Sequence, residues 1–358
     1  MTEQPIIVEP KEPQPVPAQS AQSNQVSQIG KRLAAVAFGL LFLWLAFKDC
    51  NVNQIWSYAK EVSPVYMGLL CVCVIIGHLF RAWRWQILLR PLTERKISLW
   101  NCFCAVMIGY AVNIVIPRGG EVVRLLSLSK SEDLPWAGVL PTMFIDRLLD
   151  LAVLCLIFGT CIPVLPKALL DKMPFLTGGG VLMIIGSLTM LVLLPRMADF
   201  INMILSIKKL RALLPQKSVT LAESLAEQFK IGTKSLTDAS SYPAIAGLSF
   251  VIWFTYWLNC YLAILAFHLQ SQVSLLQTYI VFAVGSIGVL IPSPGSVGSY
   301  HYFVSQGLIL SAGVNKDEAL AYATVLHIMA FVVAICIPAF ICVVVQSNQT
   351  KKTAGAAK

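Results

Sequence analysis

Long apolar runs constrain this chain more than any other feature of its sequence. The runs at 244–267 and 319–345 are long enough to cross the hydrocarbon core of a bilayer as helices, and a shorter run covers 33–47. Charged residues make up 13% of the chain, whereas a soluble domain carries about a quarter. The sequence therefore predicts an all-α polytopic membrane protein. It excludes a soluble enzyme, a nucleic-acid-binding domain and a secreted disulfide scaffold.

The excess of basic residues predicts the orientation of the chain. The net charge is +9, and lysines and arginines are concentrated at 81–96, after the second apolar run, and in the long polar stretch 196–243. Cytoplasmic loops of membrane proteins carry such an excess. We therefore expect a multi-pass protein of the cytoplasmic (inner) cell membrane, with both its N-terminal and its C-terminal tail in the cytoplasm.

Two apolar segments do not fit this orientation as simple spans. Three single crossings between 97 and 195 would place the basic stretch 196–243 outside the cell. We predict instead that 97–124 is a re-entrant hairpin that opens to the cytoplasm. Counting the membrane crossings of the second half in the same way makes 275–312 a second re-entrant hairpin, which enters from the opposite face. The expected architecture is about six full spans plus two re-entrant broken-helix hairpins.

Both predicted hairpins contain residues that break a helix. In each, an Ile-Pro step is followed by glycine, and neither proline nor glycine favours a helix interior. Broken helices at corresponding places in two halves of opposite orientation indicate an inverted-repeat transporter. The alternative is a pair of ordinary Pro-Gly loops between spans. The helix-breaking residues are Pro117, Gly119, Gly120, Pro292, Pro294, Gly295 and Gly298.

This topology divides the chain into membrane halves, a connector and tails. The connector places hydrophobic residues at helical spacing between lysines, which is typical of a helix on an anionic leaflet. The predicted parts are a disordered cytoplasmic tail (1–30), a first membrane half (31–195), a basic amphipathic cytoplasmic connector (196–243), a second membrane half (244–346) and a cytoplasmic tail (347–358).

Charged residues directly after the first break form a candidate site. Charges within a membrane are costly to insert and are usually functional. Arg118, Glu121 and Arg124 follow the break, and the last two have the spacing of an ion pair on one helix face. Arginine binds phosphate through two parallel hydrogen bonds, and a helix N-terminus adds a positive dipole. The cluster is therefore either a phosphate site or a seal that closes the loop at the interface.

A second charged group lies within the next apolar run. Asp146 and Asp150 are one helical turn apart and Arg147 is next to both, so two carboxylates face one guanidinium. The group is either a structural ion-pair network between helices or a proton-coupling site. The missing positive charge must come from another segment, and the candidates are Arg118, Arg124 and Arg84.

Two further features have mainly structural interpretations. Arg81 and Arg84 alternate with Trp83 and Trp85 at the end of the second apolar run, which predicts an interface belt that contacts lipid headgroups. His301, after the second break, is interpreted as a hydrogen-bonded structural residue within reach of the cavity. Neither the histidines nor the cysteines have the spacing of metal ligands, so no metal and no cofactor is expected.

Together these motifs resemble the membrane domain of lysylphosphatidylglycerol synthase, a flippase-like family of bacteria and archaea. The motifs extend over nearly the whole chain after the polar tail. The residues that carry the resemblance are Arg81, Arg84 and Trp85; Asn113, Pro117, Gly120, Glu121 and Arg124; Asp146, Arg147 and Asp150; and Pro292, Pro294, Gly295 and Gly298.

The resemblance implies a role in moving or handling a charged or glycosylated lipid across the membrane. The chain departs from the family pattern at three positions, because Asp146 and His301 stand where Glu is common and Ser296 stands where Gly is usual. No acidic role is therefore carried over to His301. No soluble domain follows the last predicted span, so aminoacyl transfer is not expected.

The expected function is a non-enzymatic lipid translocator that handles a phosphate-bearing or glycosylated headgroup. Its partner is a membrane phospholipid or a lipid-linked glycan. One alternative is a membrane glycosyl- or headgroup-transferase, in which Asp146 and Asp150 bind a metal–diphosphate substrate or act as base. Another is a structural partner of an envelope lipid synthase. The residues expected to line the headgroup cavity are Arg84, Asn113, Arg118, Glu121, Arg124, Asp146, Arg147, Asp150 and His301.

Overall fold

The protein is helical throughout the part that a computed structural model describes. All regular elements among the described residues are helices, so the chain is an all-α polytopic membrane protein, as its composition predicts. The described residues are most of 37–48, then 50–116, 119–174, scattered positions between 178 and 203, 216–233, 239–291 and 293–356.

Local sequence signals set the ends of several helices. Asn51, Ser98 and Ser274 accept backbone N–H bonds at the starts of α2, α4 and α10, and proline stands in the first turn of α3 and α9. The described helices, numbered in chain order, are α1 (39–47), α2 (Val52–Lys60), α3 (Pro64–Leu89), α4 (Leu99–Val115), α5 (Gly119–Glu132), α6 (Trp136–Cys161), α7 (Lys167–Lys172), α8 (Gln216–Thr233), α9 (Tyr242–Ala266), α10 (Leu275–Leu290), α11 (Ser299–Ala312), α12 (Lys316–His327) and α13 (Ala334–Ala356).

Four described helical segments are long and apolar enough to cross a membrane. They are Pro64–Leu92, Trp136–Val164, Tyr242–Ala266 and Lys316–Ser347, and the last contains a π-helical turn between α12 and α13. The helices α4 and α10 are apolar but shorter. The helix that contains the second apolar run, α3, continues to Leu89, so Arg81 and Arg84 lie within it.

Both predicted helix breaks are present in the fold. Helix α4 ends at Val115 and α5 begins at Gly119, and α10 ends at Leu290 and α11 begins at Ser299. Ile116 (φ −117°, ψ 105°) and Ile291 (φ −70°, ψ 123°) are extended. Each stands directly before a proline, whose ring disfavours the helical conformation of the preceding residue. The chain therefore contains two helix–break–helix hairpins, α4–α5 and α10–α11.

Glycines allow close contact within each hairpin and between the two. A Cβ on Gly120 of α5 would overlap the carbonyl group of Gly109 on α4. A Cβ on Gly288 of α10 would lie 2.8 Å from a backbone oxygen of α11. At the second break, a Cβ on Gly295 would lie 3.5 Å from the carbonyl oxygen of Ile114 in α4. The tip of the second hairpin therefore packs against the first hairpin.

The described part of the connector contacts the protein itself. Val219 and Ala226 of α8 are buried, and α8 packs against α6, where a Cβ on Gly138 would lie 3.1 Å from the Gln228 side-chain oxygen. The face of α8 that carries Val219 and Ala226 therefore packs on α6, and the placement of the connector on the leaflet stays a prediction. Several sequence predictions concern positions outside the described residues: the tail 1–30, much of 176–215, Pro117, Arg118 and Pro292.

Candidate functional site

Two long helices bring the predicted charged motifs together. Arg81 and Arg84 are three residues apart on α3, and Asp146 and Asp150 are four apart on α6, so each pair lies on one helix face. Arg81, Arg84 and Asp146 are each at most 2% exposed. The prediction of an interface belt was therefore wrong for the two arginines, because carboxylates on α6 bind them inside the protein.

Arg84 is the most extensively bonded arginine of this group. Its Nε and Nη2 donate to Asp146 Oδ1 at 3.0 and 2.8 Å, and Nη2 also lies 2.6 Å from Asp150 Oδ1. Arg81 Nη1 donates to Asp150 Oδ2 at 2.6 Å and lies 3.4 Å from Asp146 Oδ2. Each aspartate is therefore shared by both arginines. Arg84 is thus one of the predicted partners of the aspartate pair, and Arg81 is an additional one.

Helix α9 contributes neutral partners for the same arginines. Ser249 Oγ accepts from Arg84 Nη1 at 2.8 Å, and the Tyr256 hydroxyl accepts from Arg81 Nε and Nη2 at 3.2 and 3.1 Å. Sequence reasoning missed both. Their only signal was two polar groups seven residues apart, on one face, within an apolar run.

Arg124 joins the cluster from the first hairpin. Its Nη2 donates to Asp146 Oδ2 at 3.2 Å, and its guanidinium carbon lies 3.9 Å from the centre of the Trp85 ring. The Trp85 indole nitrogen in turn donates to Thr142 Oγ1 at 3.0 Å. Arg124 is 2% exposed, and its Nε and Nη1 have no hydrogen-bond partner among the described residues.

Glu121 and Arg147 form the more exposed edge of the cluster. Their side chains form an ion pair and are 32% and 38% exposed. The predicted pairing of Glu121 with Arg124 was wrong, since Arg124 turns inward to Asp146 and Glu121 pairs with Arg147 from α6. Arg147 also lies 3.8 Å from Asp150, so it connects the edge to the buried aspartates.

Two more side chains border the cluster and were missed by sequence reasoning. The Tyr110 ring on α4 lies beneath the guanidinium groups of Arg81 and Arg147, at 5.9 and 5.7 Å. His78 packs against Tyr110 with ring centres 4.8 Å apart. Its Nδ1 is buried and has no partner among the described residues. No motif marked either residue, because each is a single polar group in an apolar helix.

Asn113 stabilises the first hairpin, and among the described residues no hydrogen bond joins it to the buried charges. Its side-chain oxygen accepts from the Gly120 backbone N–H at 2.9 Å, which links the end of α4 to the start of α5 across the break. Gly119 packs on Ile116 within the same turn. The polar residue and the glycines of this motif thus position Arg124 and Glu121 at a defined place beside α6.

The second break forms a separate group of histidines. His301 Nδ1 accepts from the Gly298 backbone N–H at 3.3 Å, and His327 Nε2 donates to the Gly295 carbonyl at 2.7 Å. The two imidazole rings are 4.8 Å apart. Within the described part of the chain, no hydrogen bond, ion pair or ring contact joins His301 to the arginine–aspartate cluster. Pro294 lies in the turn between these glycines.

The described residues do not form a metal-binding constellation. No group of three His, Cys, Asp or Glu is placed to hold a metal ion among them. Asp146 and Asp150 already accept arginine hydrogen bonds. The cysteines are free thiols within this part of the chain, and most of them are buried.

Comparisons with known proteins agree with the resemblance of the motifs. No solved structure matches this chain significantly. UPF0104 membrane protein MJ1595 of Methanocaldococcus jannaschii is 25% identical over 129 residues, which cover 35% of this chain and 38% of that protein. The family described as lysylphosphatidylglycerol synthase TM region matches residues 32–337, a range that includes the whole charged cluster. The chain is therefore a member of the lysylphosphatidylglycerol synthase TM-region family.

Proposed function

We propose that the protein moves a lipid with a phosphate-bearing or glycosylated headgroup across the membrane without catalysing a reaction. Membership of the family supports a lipid role. The two helix–break–helix hairpins support transport, since broken helices in both halves of a membrane protein are typical of transporters. The charged cluster supports the choice of headgroup.

The observation that carries the proposal is the positive charge left over in this cluster. Among the described residues it contains four guanidinium groups and three carboxylates, so its net charge is +1. They are those of Arg81, Arg84, Arg124 and Arg147 and of Glu121, Asp146 and Asp150. A phosphodiester carries one negative charge and would neutralise the group.

Arg124 is the arginine with capacity for such a ligand. Two of its three guanidinium nitrogens lack partners among the described residues although the side chain is buried. An unsatisfied buried donor costs about 1–3 kcal/mol, which a phosphate oxygen would offset. Stacking on Trp85 holds the guanidinium plane in place, and arginine suits bidentate phosphate binding.

A purely structural ion network explains the cluster less well. Buried ion pairs are often no more stabilising than apolar residues of the same volume. A cluster selected only for stability would also be expected to pair its donors. The unpartnered nitrogens of Arg124 and His78 therefore favour a ligand in another state of the protein.

The exposed edge of the cluster suggests how a headgroup reaches it. Glu121 lies in the first turn of α5, close to the first break, and its pair with Arg147 is the most accessible ion pair of the group. Movement of α5 about the break would open this pair and expose Arg124, while the acyl chains stay in the bilayer. The second hairpin, which packs on α4, would close the opposite side.

A transferase is the weaker alternative for this site. Asp146 and Asp150 would have to bind a metal–diphosphate or accept a proton. Both carboxylates already accept hydrogen bonds from Arg81 and Arg84. These bonds stabilise the carboxylates in the ionised form and occupy the oxygen atoms that a metal or a proton would need. Translocation does not require the aspartates to bind a metal or a proton, because the lipid phosphate binds to arginine.

The test is transport of fluorescent phosphatidylglycerol in proteoliposomes, followed by quenching from outside. Arg124→Gln should slow the movement at least about tenfold, since a hydrogen bond to a charged group contributes about 1.5–3 kcal/mol. Lys130→Gln, an exposed position on the same helix, is the matched control and should transport normally. Fluorescent phosphatidylcholine in the same vesicles reports leakage.

The phosphate-site proposal fails if Arg124→Gln moves phosphatidylglycerol as fast as the parent protein. Folding is followed separately by the melting temperature in detergent, which Arg124→Gln should change little because it removes the excess charge of the cluster. Arg124→Lys keeps the charge but not the planar fork, so transport by this variant should be intermediate.

We further propose that the protein lies in the cytoplasmic membrane with both termini inside. In this orientation the end of α5 faces the cytoplasm and the turn after α9 faces outward. Lys130→Cys should then react with an impermeant maleimide only in inverted vesicles, and Gln272→Cys only in intact cells. Both positions are exposed. The opposite pattern would reverse the orientation, and labelling of both from one side would refute the arrangement of re-entrant hairpins.

A further inference from the structure

Two buried histidines bind the backbone of the tip turn of the second hairpin (294–298). His327 Nε2, at the end of α12, donates to the Gly295 carbonyl at 2.7 Å. His301 Nδ1, in the first turn of α11, accepts from the Gly298 N–H at 3.3 Å. Both side chains are at most 5% exposed, and the centres of their rings are 4.8 Å apart. One histidine therefore holds each end of the turn.

The tip turn has a backbone conformation that depends on the structure around it. Gly295, Ser296 and Gly298 have positive φ angles of 56°, 58° and 86°. Glycine tolerates such angles, whereas a serine keeps them only where its surroundings hold it. The turn packs on α4 at Ile114 and on α1, where a Cβ on Gly298 would overlap the Gly39 carbonyl oxygen. Release of the turn would therefore loosen a junction between α1, α4 and α11.

The groups around both imidazole rings are aromatic or neutral. The Phe331 ring stacks on His327 with centres 4.9 Å apart, and the Tyr300 ring lies 5.6 Å from His327. The Phe47 ring of α1 lies 6.3 Å from His301. Phenols and thiols are neutral at pH 7 unless they are perturbed. Those on the neighbouring helices are Tyr322 on α12, Cys260 on α9 and Cys71 on α3.

Charged groups on the same elements bind other partners or lie further along their helices. The Lys48 ammonium group, at the end of α1, lies over the Trp44 ring at 5.2 Å. Lys172 of α7 donates to Gln306 of α11, five residues beyond His301, which is about 7.5 Å along a helix. The charged residues of α12 lie at its start and are Lys316, Asp317 and Glu318. Within the described ranges no ion pair includes either imidazole. An imidazolium at either position would thus be buried without a counter-charge.

Proton uptake conflicts with this closed arrangement. His301 Nδ1 accepts a hydrogen bond, so a further proton must bind there and would turn the acceptor toward the Gly298 N–H as a second donor. His327 would take its further proton at Nδ1 and keep the Gly295 bond, but as a buried cation. Two cations at this separation would also repel each other. The closed turn therefore binds fewer protons than a turn whose histidines are in water, and acid favours the open form.

We propose that His301 and His327 form a proton-binding site that releases the tip turn at acidic pH. While both imidazoles are neutral, their bonds to Gly295 and Gly298 hold the turn between α1 and α4. When the histidines take up protons, these contacts open and the imidazolium groups become hydrated. A π-helical turn, Ile328–Val333, follows His327 directly, and such turns are frequent at functional sites. The proposal goes beyond lipid translocation, because proton binding and release of the turn require no lipid to move.

The experiment is hydrogen–deuterium exchange of the full chain in phosphatidylcholine nanodiscs, read by mass spectrometry at about pH 7.5 and about pH 5.0. Exchange rates are corrected for the intrinsic effect of pH on amide exchange. A hydrated histidine has a pKa of about 6.5, so one such proton shifts the opening equilibrium up to about 30-fold between these pH values. The peptide that contains 294–298 should therefore exchange at least about tenfold faster at the lower pH. Peptides from α9 are the internal reference and should keep their protection.

Two substitutions keep the bonds to the turn and remove the titration. In His301→Asn the side-chain oxygen replaces the Nδ1 acceptor, and in His327→Gln the amide N–H replaces the Nε2 donor. In the double variant, corrected exchange of the tip turn should differ less than about twofold between the two pH values. His301→Leu leaves the Gly298 N–H without its acceptor, so its tip turn should exchange fast at both. His268→Asn, at an exposed position, is the matched control and should respond to pH like the parent protein.

Each outcome decides the proposal. Acid-dependent exchange of the tip turn in the parent protein, absent from the double variant, supports the site. Equal corrected exchange at both pH values in the parent protein would overturn it, and this measurement does not depend on the folding of any variant. A double variant that keeps the full pH response would also refute the assignment to these histidines. Loss of protection in α9 at the lower pH would show general unfolding and contradict a local release.

Discussion

Replacing Asp146 by asparagine removes the carboxylate that links three arginines. Asp146 is fully buried and accepts two bonds from Arg84 and one each from Arg81 and Arg124. The substitution raises the charge of the cluster from +1 to +2 and turns an amide N–H group toward guanidinium donors. Breaking a buried pair in this way costs about 3–5 kcal/mol. We expect Asp146→Asn to lose that much free energy of unfolding.

The assay is reversible unfolding in mixed micelles, with Asp171→Asn as the matched control. Asp171 is exposed on α7, so its substitution should change the free energy of unfolding by less than about 0.5 kcal/mol. A loss below about 1 kcal/mol for Asp146→Asn would refute the view that this carboxylate holds the helices together.

A second substitution tests whether the net charge of the cluster is the reason why Asp146→Asn is less stable. Arg124→Gln in the Asp146→Asn background returns the cluster from +2 to +1. The two changes should therefore be non-additive, and the double variant should be more stable than Asp146→Asn alone. Additive losses would mean that Asp146 acts through local packing and not through the shared charge of the cluster.

Three more substitutions test individual contacts of the hairpin and cluster. Gly120→Ala should destabilise the first hairpin by about 1–3 kcal/mol or more, because its Cβ would overlap the Gly109 carbonyl. Trp85→Phe should cost about 1–2 kcal/mol in micelle unfolding, since it removes the indole bond to Thr142 and weakens the stacking of the guanidinium. Arg84→Lys should cost about 2–3 kcal/mol in the same assay, because an ammonium group cannot reproduce the planar fork.

Matched controls exist for two of these changes. A Cβ on Gly68 in α3 would meet no atom within 4 Å, so Gly68→Ala should be neutral or stabilising. Trp100 is 41% exposed, and Trp100→Phe should have little effect. A loss for Gly68→Ala as large as that for Gly120→Ala would contradict the proposed steric cause. For Arg84→Lys, unchanged stability would show that the bidentate bonds contribute little.

The sequence alone was sufficient for the class of fold and for the two breaks. Long apolar runs with few charges predict membrane helices from composition. The breaks are local as well, since a proline acts on the residue directly before it, and Ile116 and Ile291 are extended for that reason. The pairing of Asp146 and Asp150 on one face follows from helical periodicity. The orientation, the re-entrant entry of the hairpins and the domain boundaries stay predictions.

Only the tertiary structure decided which charges pair and how the site is closed. Spacing along one helix predicted a Glu121–Arg124 pair, but the nearer carboxylate for Arg124 comes from α6 once α5 packs against it. Arg84 lies inside the protein and not at the membrane interface, because two carboxylates from another helix offset the free-energy cost of burying its charge. Partners across helices depend on packing over the whole bundle, and an intrahelical spacing rule contains no information about them.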